Sequence, residues 1–231
     1  MRIFAIIPAG GKGTRSGYNI PKQFLKINGK EIIAYTLEVF QKNRSVNEII
    51  ISADPYYFKL LNKIKKKYSI SKLARMVAAG KERQDSVYNG LNSLSASAGD
   101  LILVHDAVRP LLPAKVLSNA IKTAKVYGNA LVCIKAKDTL IHGKVLVGKY
   151  INRKSVCYVQ TPQIFEYSVL KKAMDKAFKD KFIGTDESML VQRLNKKINI
   201  VEGSAFNFKL TSKEDILLLS KLITTNTYVN N

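Results

Sequence analysis

The chain has 231 residues, 46% hydrophobic and 24% charged, with 13 glycines and 6 prolines, which excludes a disordered or collagen-like polymer and leaves a chain long enough to bury its own core. Its formal charge of +21 points to an anionic partner: nucleic acid, a membrane surface or a phosphorylated metabolite. Two cysteines, Cys133 and Cys157, lie in no CxxC or Cys/His spacing, which excludes a disulfide framework or zinc site and makes both expected core thiols.

Short apolar runs at Arg2 to Pro8, Glu48 to Ser52, Arg75 to Ala78, Leu101 to His105 and Ala130 to Ile134 are too brief and β-branched for helices, and they read as strands. Between them, Ile33, Leu37 and Phe40 share one helical face, as do Phe58, Leu61 and Ile64, then Val87, Leu91 and Leu94, then Val116, Ala120 and Ala124. This alternation predicts a single Rossmann-like α/β domain over 1–231, a mostly parallel sheet flanked by helices. It breaks at about 136–160, where Val145 to Tyr150 and Val156 to Gln160 read as short β stretches with Gly143 at a turn, and an inserted, projecting β-arm is expected. A helix follows from about Tyr167 to Phe178, another begins near Thr185, and strands are expected at Ile198 to Val201 and Phe206 to Leu210. A capping box at Thr211 to Glu214 opens the last helix, and the polar tail from Thr224 is expected to fray. Glycines soon interrupt the first apolar run, and no run approaches the roughly 18 residues of a membrane span, so a cytoplasmic protein is expected.

The segment Pro8-Ala9-Gly10-Gly11-Lys12-Gly13-Thr14-Arg15 directly follows the first strand. In an open α/β sheet that loop is a favoured ligand site, and glycines let backbone N–H groups approach phosphate oxygens. Its spacing fits neither common fingerprint: Ser16 stands where GxGxxG needs its last glycine, and the Walker pattern is missing. Lys12 reads equally well as a basic surface residue, whereas Arg15 and Lys22 beside these glycines favour polyphosphate, Arg through its bidentate fork and Lys as a point charge. His105-Asp106-Ala107-Val108-Arg109-Pro110 closes a central strand on the same edge. There Asp106 could face a metal–triphosphate unit, accept from a substrate hydroxyl, or be satisfied by loop N–H groups, and His105 reads as a packed residue, not an acid–base group. The chain has no GxSxG elbow and no evident Cys/His dyad.

These residues carry a resemblance. PAGGKGTR followed by IPKQFLKINGKEIIAYTLEVF, then AAGKERQDSVYNGL, LVHDAVRPLL, KDTL, QTPQIF, TDES and FNFKLTSKEDI, resemble in order and spacing the 2-C-methyl-D-erythritol 4-phosphate cytidylyltransferases, over nearly the whole chain. The resemblance implies transfer of CMP from CTP to a polyol phosphate by in-line attack of the substrate phosphate, releasing pyrophosphate, with a divalent metal, Mg2+ by expectation. It implies that Arg15 and Lys22 act at the α-phosphate and that Arg153 and Lys209 grip the attacking phosphate. It further places Pro8, Ala9, Gly10, Gly11, Gly13, Gly80, Ser86 and Ala107 around CTP, with Asp106, Arg109, Thr139, Thr161 and Thr185 around the polyol; Asp106 is the one tentative metal ligand, the metal being otherwise held by the CTP phosphates. Arg153 lies in the arm, and in the family the arm reaches into a second subunit's site, which implies a homodimer.

Without the resemblance these residues weigh unequally. Lys209 alternates with Phe206, Phe208 and Leu210 and fits a solvated strand face, Arg153 has polar neighbours, and the three threonines carry no signal of their own. The chain also departs from the family pattern at Ala79, Lys81 and Ser16, all on the nucleotide side. The nearest alternative is ribitol 5-phosphate cytidylyltransferase, which shares the glycine loop, PKQF and HDAVRP, while Arg83 to Val87 and Thr185 to Glu187 favour the methylerythritol enzyme. A nucleic-acid-binding protein is the other class that the charge allows. The densest basic run, Lys63 to Lys67, lies on an amphipathic helix, and the chain has no RNP-like strand, so neither nucleic acid nor membrane is an expected partner.

Overall fold

Ile3, Ala5 and Ile7 face one side of the first strand and Phe4 and Ile6 the other, and all five are buried, as a strand covered by helices on both faces requires. The computed structural model describes residues 1–11 and 20–225. In chain order the elements are β1 (Ile3–Pro8), β2 (Lys26–Ile27), β3 (Lys30–Glu31), α1 (Ile32–Lys42), β4 (Glu48–Ala53), α2 (Phe58–Lys67), β5 (Leu73–Ala78), α3 (Arg83–Asn92), β6 (Leu101–Val104) and α4 (Ala114–Tyr127). There follow β7 (Asn129–Lys135), β8 (Leu140–Gly143), β9 (Val147–Ile151), β10 (Cys157–Glu166), α5 (Tyr167–Lys179), α6 (Glu187–Gln192), β11 (Ile200–Glu202) and α7 (Lys213–Thr224).

Seven strands form the central sheet in the order β11-β7-β10-β6-β1-β4-β5. All pair in parallel except β10, which runs antiparallel to both β6 and β7. From β1 the chain passes outward to β4 and β5, then returns across β1 to β6, so the strand order reverses between β1 and β6. Loops that diverge at such a reversal leave a crevice at the carboxyl ends of the strands. Leu37 and Phe40 of α1, Leu61 and Ile64 of α2, and Leu117 and Ala120 of α4 cover one face. Val87 and Leu91 of α3, Leu170 and Met174 of α5, and Leu190 of α6 cover the other. A third cluster packs Ile216, Leu219 and Ile223 of α7 against Ile27, Ile32, Val108 and Leu210, tying the last helix to the loop after β6. Helix α2 buries Leu61 and Ile64 and leaves Lys63, Lys66 and Lys67 exposed. Among the described residues, no helix is long and apolar enough to cross a membrane.

The α/β architecture and the five early strands lie where their apolar runs predict, to within a residue or two at their ends. Five expectations need correction. The stretch Val156 to Gln160, read as part of the arm, belongs mostly to β10 in the middle of the main sheet. Gln160, Thr161, Pro162 and Gln163 hid that strand, because they interrupt its apolar pattern where the pairing with β7 shifts register between Val159 and Gln163. The projecting arm is instead the hairpin of β8 and β9, exposed from residue 141 to 150. Phe206 to Leu210 forms no strand: the segment is irregular, with Phe206 and Phe208 against the third cluster and Asn207 fully buried. The capping box sits one residue later than expected, with Ser212 accepting from the Asp215 N–H and Asp215 accepting from the Ser212 N–H. Cys157 is only half-buried, while Cys133 is buried and its thiol is pushed up to about 11 by burial, with Cys157 and Asp186 adding to the shift.

The small β2–β3 hairpin was not anticipated, although its signal is local. Asn28 and Gly29 take φ of 48° and 77° at its turn, the conformation that makes Asn-Gly a strong hairpin pair.

Candidate active site

The crevice between the β1 and β6 loops opens into a cavity of about 400 Å³. Its walls come from the glycine loop (Pro8 to Gly11), Lys22 and Gln23, the turn from Gly80 to Arg83, Ser86, the loop Asp106 to Val108, and Lys209. A second cavity of about 170 Å³ adjoins it, lined by Arg109, Val159, Gln160, Thr161, Gln163, Thr185 and Asp186. Arg83, Asp106 and Lys209 belong to both linings and form the ridge between the two.

The nucleotide-side loops are shaped by close backbone approach. A Cβ added to Gly10 would collide with the Ala79 Cβ, and one added to Gly80 would collide with Asp85 at the start of α3. Glycine at these two positions lets the loops after β1 and β5 close against each other. The Ser86 Oγ accepts from the Gly80 N–H and donates to the Glu82 carbonyl, both at 3.1 Å, which fastens the second loop to α3. Gln23, buried on the 3-10 turn from Lys22 to Phe24, donates through Nε2 to the carbonyls of Ala9 (2.7 Å) and Gly11 (3.0 Å). Those bonds tie the glycine loop to the turn that carries Lys22.

The ridge is a charge network. Asp106 Oδ1 accepts from Arg83 Nε at 3.1 Å, while its Oδ2 accepts from Arg109 Nε at 3.2 Å and pairs with Lys209 Nζ at 3.2 Å. Burial works against its charge, but Arg83, Lys209 and Arg109 outweigh burial and hold the carboxyl well below the usual carboxylate range. The Arg83 guanidinium also makes a bidentate pair with Glu187, at 2.7 and 3.1 Å. Arg109 Nη1 donates to the Asn207 carbonyl at 2.7 Å, and Asn207 Nδ2 donates to the Thr161 carbonyl at 2.7 Å. The Leu210 N–H donates to the Val108 carbonyl, so the irregular 206–210 segment is laced onto the β6 loop and Lys209 is delivered to Asp106.

His105 organises this loop from below. It is fully buried, with Nε2 3.1 Å from the Arg109 carbonyl and Nδ1 3.0 Å from Thr161 Oγ1. A carbonyl can only accept, so Nε2 carries the proton and Nδ1 accepts from the Thr161 hydroxyl, which itself accepts from the Asp106 N–H at 3.1 Å. Burial pushes the imidazole down to about 4, against the raising influence of the Arg109 carbonyl and Asp106. With its one hydroxyl proton held by His105, Thr161 can offer a ligand only a lone pair.

The structure therefore brings Pro8, Ala9, Gly10, Gly11, Lys22, Gly80, Ser86, Asp106, Ala107 and Lys209 to the larger cavity, and Arg109, Thr161 and Thr185 to the smaller. Arg15 and Gly13 lie outside the described residues. Arg153 and Thr139 are exposed near the arm and line neither cavity; Arg153 Nη1 donates to the Lys137 carbonyl. Both oxygens of Asp106, the tentative metal ligand, already pair with cations. Among the described residues no group of three or more His, Cys, Asp or Glu could hold a metal ion. Sequence reasoning missed Gln23, Arg83, Glu187 and Asn207 as site residues. Gln23 and Arg83 stand inside the PKQF and ERQDS stretches, but their partners lie 12 to 104 positions away.

Comparison with known proteins bears on this arrangement. The family model described as 2-C-methyl-D-erythritol 4-phosphate cytidylyltransferase matches residues 3–225. A protein of that name from Geobacter metallireducens is 41% identical over 96% of this chain and 98% of its own. One from Clostridium perfringens is 38% identical over 96% of this chain and 99% of its own. Among solved structures, 4-diphosphocytidyl-2C-methyl-D-erythritol synthase from Anaerococcus prevotii superposes with a TM-score of 0.84 at 27% identity, covering 96% of this chain and 98% of that one. The 2-C-methyl-D-erythritol 4-phosphate cytidylyltransferase of Francisella tularensis gives 0.81 at 28% identity, over 95% and 98%. A glycine-loop crevice at the β1–β6 reversal, joined by a cationic ridge to a second cavity, on a chain matched almost end to end, places this chain in the 2-C-methyl-D-erythritol 4-phosphate cytidylyltransferase family.

Proposed function

We propose that the protein transfers CMP from CTP to 2-C-methyl-D-erythritol 4-phosphate in isoprenoid precursor synthesis, acting in the cytoplasm. The observation that carries this reading is the pair of adjoining cavities, one walled by glycine-loop backbone and Lys22, the other by Arg109, Thr161 and Thr185, meeting at Asp106 and Lys209. A triphosphate in the first cavity and a polyol phosphate in the second bring two polyanions to one ridge. An oxygen of the polyol phosphate attacks the α-phosphorus in line while the bond to the β-phosphate breaks, so CMP is transferred and pyrophosphate leaves. The chain's work is to align the two groups and stabilise the added charge. Loop N–H groups and Lys22, with Arg15, serve the triphosphate; Lys209 and Arg109 serve the incoming phosphate, and Asp106 accepts from a polyol hydroxyl. A divalent cation such as Mg2+ would supply neutralising charge to the triphosphate when bound.

Arg153 and Thr139 reach the polyol phosphate from a second copy. They line neither cavity of their own chain, and the arm carries Val145, Leu146 and Val147 at 94%, 83% and 57% exposure, an apolar tip suited to burial against a partner in a homodimer. The test supplies CTP with 2-C-methyl-D-erythritol 4-phosphate or ribitol 5-phosphate and follows pyrophosphate release. Preferential turnover of the methylerythritol substrate is expected; faster turnover of ribitol 5-phosphate would overturn the assignment.

A further inference from the structure

Arg83 opens α3 and stands on the ridge, in the walls of both cavities. Its planar fork works in two directions: Nε donates to Asp106 Oδ1, and Nη1 and Nη2 donate to the two oxygens of Glu187. Glu187 sits in the first turn of α6, is 1% exposed and lines neither cavity. The Arg83 charge is thus offset by two carboxylates before any ligand arrives, which is a poor arrangement for gripping phosphate. It is a good one for holding a carboxylate still. Among the described residues, the other two cations on Asp106 approach Oδ2, and Arg83 alone holds Oδ1.

We infer that the Arg83–Glu187 pair is a positioning device for Asp106: anchored to α6 through Glu187, Arg83 fixes the plane of the Asp106 carboxylate and, through Oδ2, the places of Arg109 and Lys209. This deepens the functional reading above and rests on it. The pair therefore governs how the polyol phosphate is seated and has little hold on CTP. Lysine at 83 keeps the charge but has a single head, so it cannot hold Asp106 and Glu187 together. Glutamine at 187 keeps the shape but loses the charge that balances Arg83, at a position no ligand in either cavity touches.

The experiment measures steady-state kinetics with CTP and 2-C-methyl-D-erythritol 4-phosphate for the wild type, Arg83→Lys, Glu187→Gln, Asp106→Asn and the Arg83→Lys/Asp106→Asn double variant, with melting temperatures alongside. Loss of an ordered, charge-assisted contact should raise KM for the polyol phosphate about tenfold in Arg83→Lys and by a smaller factor in Glu187→Gln, with KM for CTP changed less than about twofold. In the Asp106→Asn background, Arg83→Lys should add less than about a twofold further loss, because the residue it acts through is already gone. Equal KM shifts for both substrates, fully additive losses, or failure of both single variants to fold would make the pair a plain structural clamp and overturn the inference. Wild-type turnover with both variants unaltered overturns the inference alone, whereas a wild-type protein that leaves the methylerythritol substrate unused overturns the functional reading and this inference together.

Discussion

Acid should weaken this protein through one buried side chain, His105, before Asp106 begins to protonate. His105 is fully buried, its Nε2–H committed to the Arg109 carbonyl and its Nδ1 to the Thr161 hydroxyl, with the Phe40 ring edge-on at 5.1 Å. Burial pushes its pKa down from 6.5 to about 4. As pH falls below about 6.5 the unfolded chain takes up a proton at this position while the native protein does not, so stability is lost on acidification at up to about 1.4 kcal/mol per pH unit. Integrated from pH 7.5 to 5, the loss is about 2 kcal/mol. Asp106 stays out of this window: held low mainly by Arg83 once burial is overcome, it is ionised in both states there and loses its stabilising effect only as pH drops below the ordinary carboxylate range. Urea unfolding of the wild type and His105→Gln at half-unit steps from pH 7.5 to 5 makes the comparison. The variant should be less stable at pH 7.5 by about 1–3 kcal/mol for its disrupted buried hydrogen bonds, yet nearly flat with pH. Equal slopes for wild type and His105→Gln, or an imidazole that titrates near 6.5 in the folded protein, would refute the argument.

Replacing Gln23 with Ala removes one buried and one half-buried hydrogen bond from the glycine loop, worth about 1–3 kcal/mol together, and should raise KM for CTP while leaving that for the polyol phosphate nearly unchanged. Lys22→Ala should depress kcat by more than about tenfold with little change in melting temperature, since the side chain lines the cavity and not the core; a large melting shift with retained turnover would contradict it. If the proposed homodimer forms through the arm, Leu146→Glu should lower the mass seen in light scattering from dimer to monomer and lower activity in proportion, because the exposed arm tip would then carry a charge into an apolar contact; an unchanged mass with full activity would overturn the proposed arm interface.

The parts of the fold that were legible share one property: their signal is complete within a few residues. Ile3 to Ile7 announces a strand buried on both faces, Leu37 and Phe40 announce a helical stripe, and the glycines after Pro8 announce a loop able to approach phosphate. β10 was misread because a strand in the middle of a sheet was carrying Gln160, Thr161 and Gln163, which are buried and polar. Only their distant partners make that tolerable: Gln160 with Ser204, Thr161 with His105, and Gln163 with Asp186 and Ser188.

By itself the sequence settled the βα alternation, the loop at the end of the first strand and, through the order of its motifs, the family. The charge of +21 was a pointer to anions that most of its lysines do not explain, since many lie on solvated helix faces such as that of α2. Which cations form the ridge was decided only by tertiary structure. Asp106 meets Lys209 across 103 positions, Arg83 meets Glu187 across 104, and Arg109 meets the backbone of Asn207 across 98. Local propensity carries no information about such pairs: each is made only when the sheet brings the loops after β5, β6 and β11 to one edge, where burial in a low-dielectric ridge makes every charge depend on its neighbour.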